Sequence, residues 1–452
     1  SYMFNRSVNQ LAPSPLSNRP LPGTNYWVRQ VLPGSPTTQN FLYTYRPTEL
    51  GPRQTINKFD DLNSYVGVQG QVPRTTWKYR GGYQYNPSNF FSVQTGGVIT
   101  SRYDAALAAG TAAAAFNPFG FTPVLGGPSP VNPQTLISSF QGQSTTRYEG
   151  TLTSWDANVQ GEVFRLPAGP IAISGTLARR TFTFTNQPDF TIAQSPVLIF
   201  PFNFAEPSSG NRVVKSYAAE MNIPILGESV RFPFAESLHL GVAYRNEDYK
   251  DTSVAVLGTV NAKRSTGVPR YTLLWVPIKD ELTLRASYAE GFVAPSLGAI
   301  ALARGQTFTE LLNPVTGIRA QPTSAVITTG NPGLQPTTAK SWAFGGAYSP
   351  KWLKGFSANV NYYTIEQTDI PFSSAQYIVN QWYGARGTNT NPNDNASNPF
   401  RPGAGPSAAN PLGANVFLNA DFSLNSITNI GSINSGKRKT DGLDVTLTQK
   451  LR

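Results

Sequence analysis

The sequence contains no cysteine and a single histidine, His239, among 452 residues. No disulfide bond can therefore stabilise the fold, and a metal site built from His and Cys ligands is excluded within this sequence. A catalytic triad could form only at His239, which no nucleophile or carboxylate motif accompanies. We therefore expect neither enzymatic activity nor a resident cofactor or metal.

Charged residues are also scarce, at 13% of the chain, and no apolar run reaches the roughly 20 residues that a membrane helix needs. The alanine-rich run from Ala105 to Ala115 is too short and is interrupted by Gly110 and Thr111. If the protein lies in a membrane, it must therefore cross that membrane with β-strands.

The formal net charge of +11 raises the question of nucleic-acid binding. Nucleic-acid-binding proteins concentrate Lys and Arg in patches or runs, whereas here only Lys437, Arg438 and Lys439 form a run. The other basic residues are dispersed along the chain. The sequence therefore indicates no nucleic-acid partner.

The chain is well supplied with glycine (40), proline (37) and aromatic residues (12%), and it has many segments in which apolar and polar residues alternate. In Leu282–Tyr288, Leu, Leu, Ala and Tyr alternate with Thr, Arg and Ser, which is typical of a strand with one apolar and one polar face. About eleven segments of this kind follow Leu62, which predicts an all-β protein.

Short turns and long irregular segments alternate along the chain, and Trp or Tyr residues bracket many apolar faces. Outer-membrane β-barrels combine short periplasmic turns, long extracellular loops and aromatic girdles. A soluble sandwich also has alternating strands, but it gives no reason for loops sorted by length. The sequence therefore predicts a transmembrane antiparallel β-barrel that is incomplete and carries long extracellular loops.

The predicted boundaries follow from composition. Residues 1–61 are rich in Pro, Asn, Thr and Arg without a sustained period, and we assign them to an extracellular loop region. Residues 62–452 are assigned to the partial barrel. Within it, irregular loops are predicted at Asn86–Glu149, Asn186–Asn211, Tyr249–Thr266 and Pro371–Lys437. Neither end of the sequence resembles a natural terminus, so we expect a leader and further sequence outside it.

Two motifs flank the long irregular segment after Leu282–Tyr288. They read Gly-Phe-x-Ala-Pro-Ser and Asn-Pro-x-Leu-x-Pro, and either one alone is also an ordinary turn former. Their residues are Gly291, Phe292, Ala294, Pro295, Ser296, Asn331, Pro332, Leu334 and Pro336. As a pair at the ends of two successive strands, they resemble the TonB-dependent receptors of Gram-negative outer membranes.

The resemblance implies a 22-stranded barrel, of which about eleven strands are half. It implies an outer-membrane receptor that binds a scarce, bulky solute (a siderophore, vitamin or oligosaccharide) at its extracellular loops. Import would use energy from the TonB complex, received through a plug segment that nothing in this sequence resembles. Outer-membrane lipid and lipopolysaccharide would surround the strands.

Two alternative functions stay open. A passive porin-like channel would share the girdles and the alternation of turns and loops. A secreted, soluble β protein that binds glycans would share the strand pattern. The paired motifs favour the receptor over both.

Alternation places four polar side chains on the lumen side of the predicted barrel, where we expect structural roles: His239, Arg245, Arg270 and Arg285. In the family that the sequence resembles, such positions meet the plug or one another. No ligand-binding residue is predicted. The aromatic stretches Tyr26–Trp27, Phe116–Phe121 and Phe200–Phe204 either stack on a ligand or pack the loops together.

Overall fold

The computed structural model describes residues 2–119, 131–227, 229–230, 232–314, 317–322, 325–386, 415–419 and 423–450. Strands dominate these residues, and the helices are short. No helix in the described part of the chain is both long and apolar enough to cross a membrane.

The elements of the first half are, in chain order, β1 (Tyr2–Leu11), β2 (Leu16–Pro22), α1 (Tyr26–Val31), β3 (Asn40–Tyr45), a 3₁₀-helix (Thr48–Leu50), β4 (Arg53–Leu62), β5 (Ser64–Gln71), β6 (Lys78–Ile99), α2 (Thr100–Ala108), α3 (Gln134–Phe140), β7 (Gln141–Leu166), β8 (Gly169–Pro188), β9 (Ile199–Phe200) and β10 (Ser208–Leu226). Those of the second half are β11 (Ser237–Ala255), β12 (Gly258–Ile278), β13 (Leu282–Val293), α4 (Leu297–Ile300), β14 (Gly305–Thr307), β15 (Leu311–Leu312), β16 (Arg319–Ala320), β17 (Ala325–Thr328), β18 (Thr337–Tyr348), β19 (Phe356–Phe372), α5 (Ala375–Arg386), β20 (Val416–Leu418), β21 (Leu424–Ile430) and β22 (Ile433–Gln449).

One large antiparallel sheet contains most of these strands, in the order β1-β4-β6-β7-β8-β10-β11-β12-β13-β18-β19-β22. β5 pairs with β6 beyond the end of β4, so β4 and β5 form one long strand interrupted at Asn63. β1 and β22 end the sheet and do not pair with each other in the described part of the chain. The predicted all-β class and the incomplete antiparallel barrel are confirmed.

The two faces of the sheet differ in chemistry, as the alternation predicts. Tyr271, Tyr288 and Trp342 lie beside one another on one face, with ring centroids 6.3 and 4.5 Å apart. Arg270 and Arg285 lie on the opposite face, because their strand positions differ from those of the rings by an odd number of residues. We call these the apolar face and the polar face.

The two ends of the sheet differ in their connections. One end carries short turns, among them residues 167–168, 279–281 and 349–355. The other end carries the long segments 12–52, 100–140, 189–207, 294–336 and 373–432, together with one short turn at residues 256–257. We call them the turn end and the loop end.

The assignment of residues 1–61 to a loop region is wrong for two of its parts. β1 and β4 belong to the main sheet, with Ser7 opposite Asn57 in the middle of their pairing. The alternation in β1 is hard to recognise because Arg6 and Gln10 share the apolar face with Phe4 and Val8. Residues 12–52 do form a long connection, which contains β2, β3 and α1.

The predicted loop Tyr249–Thr266 is also wrong. β11 and β12 continue through it and are joined by a two-residue turn, Val256–Leu257. This segment looked irregular because charged residues interrupt its apolar pattern. The structure pairs several of them across the sheet, as described below.

Similarly, β6 and β7 extend into the predicted loop Asn86–Glu149, so that only residues 100–140 remain as the connection between these strands. The predicted loop Pro371–Lys437 lies partly outside the described residues.

The long segments at the loop end have small apolar cores of their own. The first core joins segments 12–52 and 100–140, and Val28, Tyr103, Phe116 and Phe140 are fully buried in it. Asn25 holds these segments together, because its side-chain amide donates to the carbonyls of Leu107 and Phe116 at 2.8 and 3.1 Å. Other cores form around α5 and β21 and around Ile199 and Phe202.

Two tyrosines in the first core give a pH prediction. The hydroxyl groups of Tyr43 and Tyr103 are hydrogen-bonded to each other. Burial raises the pKa of Tyr43 to about 12 and also raises the pKa of Tyr103. A phenol whose folded-state pKa lies above the unfolded value of about 10 stabilises the fold fully below pH 10, and this contribution is lost as pH rises further.

We therefore expect the core of segments 12–52 and 100–140 to open between about pH 10 and pH 12. Tyrosinate absorbance and near-ultraviolet circular dichroism, recorded together during an alkaline titration, would detect this opening. The double variant Tyr43→Phe/Tyr103→Phe should keep its near-ultraviolet signal to higher pH. If wild-type protein and variant lose the signal at the same pH, these tyrosines do not control the core.

Candidate binding site at the loop end of the sheet

A cavity of about 820 Å³ lies against strands β8, β10, β11 and β12 and the end of β13. Its lining combines guanidinium groups with aromatic rings, and includes Arg180, Arg212, Tyr249, Arg270 and Phe292. Tyr249 and Phe292 meet edge to face with ring centroids 6.2 Å apart. Glu220, Glu247 and Glu290 also line the cavity, which therefore combines guanidinium groups, carboxylates and ring surfaces.

Glu247 is the centre of the first charged group in this cavity. Its side chain is only 3% exposed, and its Oε1 accepts from Arg180 Nη2 at 2.7 Å, from Ser216 Oγ at 2.9 Å and from Arg245. Its Oε2 accepts from the Tyr249 hydroxyl. One carboxylate thus fixes two arginines, while these arginines remain 42% and 52% exposed toward the cavity.

Asp251 is the centre of the second group and is fully buried. Arg212 donates to both of its oxygens, from Nε at 2.7 Å and from Nη2 at 2.8 Å. Arg264 Nη1 donates to Oδ2 at 3.1 Å. The guanidinium of Arg212 also lies 5.4 Å from the centroid of the Tyr249 ring, which links the two groups.

Arg264 connects this network to the second sequence motif. Its Nη2 donates to the carbonyl of Pro332 at 2.8 Å, and its Nε donates to the carbonyl of Leu334 at 2.9 Å. The side chain of Leu334 is fully buried and packs with Leu297, Ile300 and Phe184. Segment 294–336 is therefore anchored on the polar face, because Phe184 lies on that face of β8.

The structure brings the two motifs together. Ser296 caps α4 by accepting from the Ala299 amide at 3.1 Å, and the Asn331 amide donates to the Ala299 carbonyl at 2.7 Å. The neighbouring Gly330 has to be glycine, because a Cβ there would lie 2.0 Å from the Ala301 carbonyl oxygen. The start and the end of segment 294–336 are thus joined through the main chain.

The remaining motif residues lie close by. Gly291 and Phe292 pair with Ala339 and Thr338 at the end of β13. Ala294 lines the cavity, Pro295 is buried, and Pro336 directly precedes β18. Asn331 also donates from Nδ2 to the Ser432 carbonyl at 2.8 Å, which ties the motif to the segment before β22.

His239, Arg245, Arg270 and Arg285 share the polar face. His239 in β11 is opposite Leu274 in β12, and Leu274 is in turn opposite Arg285 in β13. Arg270 in β12 is opposite Ala243 in β11. Arg285 donates to Asn359 Oδ1 at 3.0 Å and to Asn361 Oδ1 at 3.1 Å. Arg245 and Arg270 line the cavity, whereas His239 and Arg285 do not. That this face forms a barrel lumen stays a prediction.

The aromatic stretches take part in packing. Trp27 Nε1 donates to the Ala115 carbonyl at 3.0 Å, and Phe116, Phe202 and Phe204 are buried. Phe121 lies outside the described residues. No cluster of three His, Cys, Asp or Glu side chains suited to a metal ion occurs in the part of the chain that the structure describes.

The sequence analysis missed Arg180, Arg212, Glu247, Asp251 and Arg264. A usable signal was present, since Arg245, Glu247, Tyr249 and Asp251 follow one another at intervals of two and so share one face of a strand. It was lost because the predicted loop Tyr249–Thr266 divides this stretch and removes Tyr249 and Asp251 from the strand.

A family model described as "TonB dependent receptor-like, beta-barrel" matches residues 14–452. The chain belongs to this family. No match was found among curated proteins. The sheet is accordingly part of an outer-membrane-type β-barrel, and the apolar face is the one expected to contact lipid.

Several solved structures of TonB-dependent receptors are similar to this chain at low identity. BauA, the ferric preacinetobactin receptor from Acinetobacter baumannii, is 11% identical with a TM-score of 0.43, over 87% of this chain and 43% of BauA. FpvA from Pseudomonas aeruginosa, bound to pyoverdine, is 9% identical with a TM-score of 0.45, over 89% of this chain and 43% of FpvA. The ferric-catecholate import receptor Fiu from E. coli is 11% identical with a TM-score of 0.40, over 100% of this chain and 52% of Fiu. The chain thus spans about half the length of these receptors.

The face assignment gives a prediction for this receptor barrel. Leu284 lies on the apolar face of β13 and Thr283 on the polar face. Leu284→Arg and Val242→Arg each place a charge against lipid and should lower the free energy of unfolding by up to about 4 kcal/mol, with the larger loss at the position deeper in the bilayer. Thr283→Arg is the matched control and should cost less. Denaturant unfolding in lipid vesicles measures both, and equal losses would show that the faces are assigned wrongly.

Proposed function

We propose that this chain is the barrel part of an outer-membrane receptor that binds a scarce, bulky solute at its loop end and imports it with energy from the TonB complex. The observation that carries the proposal is the anchoring of segment 294–336 on the polar face by Arg264 and Leu334. If the polar face is the barrel lumen, a segment anchored on it narrows the passage. Such an arrangement suits transport that is gated by a conformational change.

The cavity supports an anionic solute as the first class to test. Arg180 and Arg245 are shared by a single carboxylate and remain partly exposed, and Arg270 is exposed with no hydrogen bond or ion pair to the described residues. Guanidinium groups bind carboxylates and other oxyanions through paired hydrogen bonds. Tyr249 and Phe292 add ring surfaces for stacking. Ferric catecholate complexes combine net negative charge with aromatic chelating groups and fit this description.

Uptake of radiolabelled iron provides the test. The whole gene product would be expressed in a Gram-negative host without its own siderophore receptors, in strains with and without functional TonB. We expect saturable uptake of at least one ferric siderophore only in the strain with TonB. Uptake in both strains without saturation would favour a passive channel. Recovery of the protein from cells without detergent would favour the soluble glycan-binding alternative.

A further inference from the structure

Two arginines on the polar face of β12 and β13 have no acid as a partner. Arg270 is exposed and has no hydrogen bond or ion pair with the described residues. Within the same residues, Arg285 donates only to the side-chain carbonyl oxygens of Asn359 and Asn361, from Nε and Nη2, and its Nη1 has no acceptor. Amide oxygens fix a guanidinium group without cancelling its charge. Both arginines therefore keep their positive charge on this face.

The two arginines continue a line of positive charge that begins in the cavity. Arg245 lines the cavity and lies opposite Val268, and Arg270 follows Val268 by two residues in β12. Arg270 lies opposite Ala289, and Arg285 is four residues closer to the turn end in β13. At about 3.4 Å per residue, these steps along the strands are about 7 Å and about 14 Å. Arg285 thus carries the line out of the cavity, close to the start of β13 at the turn end.

Small side chains leave the two guanidinium groups accessible. The polar face around them includes Gly241, Ala243, Ser287, Ala289, Ala343, Gly345 and Ala347. Gly345 has to be glycine, because a Cβ there would lie 2.2 Å from Asn361 Oδ1 and 3.0 Å from Arg285 Nε. Arg285 therefore reaches across β18 at the one position where no side chain stands in its way.

The carboxylates of this part of the polar face lie at its margins. Glu220 in β10 and Asp444 in β22 form no ion pair in the part of the chain that the structure describes. Ser287 lies midway along the line, and its Cβ is within about 8 Å of those of Arg270 and Arg285. Each acid is three strands away from Ser287, or about 14 Å, and salt screens most of the interaction between exposed charges at that distance. The local charge at Ser287 is therefore positive.

We propose that Arg270 and Arg285 form an anion-binding path, which leads an imported solute from the cavity toward the turn end. This inference rests on the proposed import of an anionic solute. Guanidinium groups bind carboxylates, catecholates and other oxyanions through charge-assisted hydrogen bonds. Passage requires several sites in series, each attractive enough to enter and weak enough to leave. Arg285, which Asn359 and Asn361 hold in place, supplies the next such site after the cavity.

Charge-selective labelling of a thiol at position 287 tests the path without any natural solute. The chain has no cysteine, and Ser287→Cys changes the size of the side chain very little. The purified whole gene product would be treated in detergent with a negatively or a positively charged methanethiosulfonate of similar size, and modification read from the mass of the peptide that contains position 287. We expect the negative reagent to react about tenfold faster, relative to the rates of both reagents with a free thiol. The preference should disappear in the background Arg270→Gln/Arg285→Gln.

Ser88→Cys is the matched control for the labelling. Ser88 also lies on the polar face but is opposite Asp61, so the negative reagent should have no advantage there. Equal rates of the two reagents at position 287, or a preference that survives in the double variant, would overturn the proposal. A thiol at position 287 that neither reagent modifies would show that no aqueous path reaches it, with the same consequence.

Uptake of a ferric tricatecholate with radiolabelled iron separates this inference from the proposed function. Arg285→Gln should lower the maximal TonB-dependent rate about tenfold and leave the half-saturating concentration unchanged, because Arg285 lies outside the cavity. Arg80→Gln is the control, since Arg80 lies on the polar face away from the line and faces Asp156; it should transport as the wild-type protein does.

The outcomes of the uptake experiment are distinct. A wild-type rate in Arg285→Gln would overturn the path and leave the proposed function intact. Uptake that becomes independent of TonB in Arg285→Gln would show that this arginine holds a plug in place, and would also overturn the path. Absence of saturable uptake by the wild-type protein would instead overturn the proposed function, and the passage of a solute with it.

Discussion

The variant Asp251→Asn should lower the free energy of unfolding by about 3 to 5 kcal/mol. Asp251 is fully buried between Arg212 and Arg264, whose side chains are only 13% and 8% exposed. Asparagine keeps the size but removes the charge, so two buried guanidinium groups lose their counter-ion. Denaturant unfolding in lipid vesicles measures the loss. Limited proteolysis of segment 294–336 should also become faster, because Arg264 anchors that segment.

Asp156→Asn is the matched control for this experiment. Asp156 also faces an arginine across the sheet, but the Arg80–Asp156 pair is 3.9 Å long and the arginine is 63% exposed. Exposed ion pairs contribute at most about 1 kcal/mol, and this loss should be small. If Asp156→Asn is as costly as Asp251→Asn, burial of the charged network is not the source of its stability.

Leu334→Ala should cost about 2 to 5 kcal/mol of unfolding free energy. The Leu334 side chain has no exposed surface and fills the space between Leu297, Ile300 and Phe184. Alanine would leave a cavity at the point where segment 294–336 meets β8. We expect local opening as well as lower global stability, visible as faster amide hydrogen exchange at Ala299 and Asn331.

Val293→Ala serves as the control for Leu334→Ala, since Val293 is the last residue of β13, directly before the same segment, and is 68% exposed. Its truncation should change the unfolding free energy by less than about 0.5 kcal/mol. Equal exchange rates at Ala299 in the Leu334→Ala variant and in the wild-type protein would contradict the anchoring role.

The strands of this protein could be predicted from the sequence wherever a face is uniformly apolar. Leu282–Tyr288 and ten similar segments were recognisable as strands because apolar and polar residues alternate in them. β1 was not, because Arg6 and Gln10 interrupt its apolar face. The outer half of β11 was not, because Asn246, Asp248 and Lys250 interrupt its apolar face. Charged residues in a strand are tolerated when the neighbouring strands supply partners, and those partners are far away in sequence.

The site was predictable only in outline. The two motifs correctly marked the ends of β13 and β18, but nothing in the sequence indicated that Arg264 would bind the carbonyls of Pro332 and Leu334. Main-chain acceptors have no sequence signature, and an arginine that binds them looks like any other arginine. The order of Arg245, Arg270 and Arg285 along the polar face became visible only once the strand register was known.

The bonds of Arg264 to main-chain carbonyls have an evolutionary consequence. The hydrogen bonds themselves do not depend on which side chains stand at positions 332 and 334, while burial of Leu334 and the contacts of Ser296 and Asn331 add to the anchor. Substitutions at exposed residues between Ser296 and Asn331 therefore leave this anchor in place, whereas Leu311 and Val326 are buried in the core around α5 and β21. The exposed part of this segment can therefore vary in sequence while the sheet beneath it keeps the same stability.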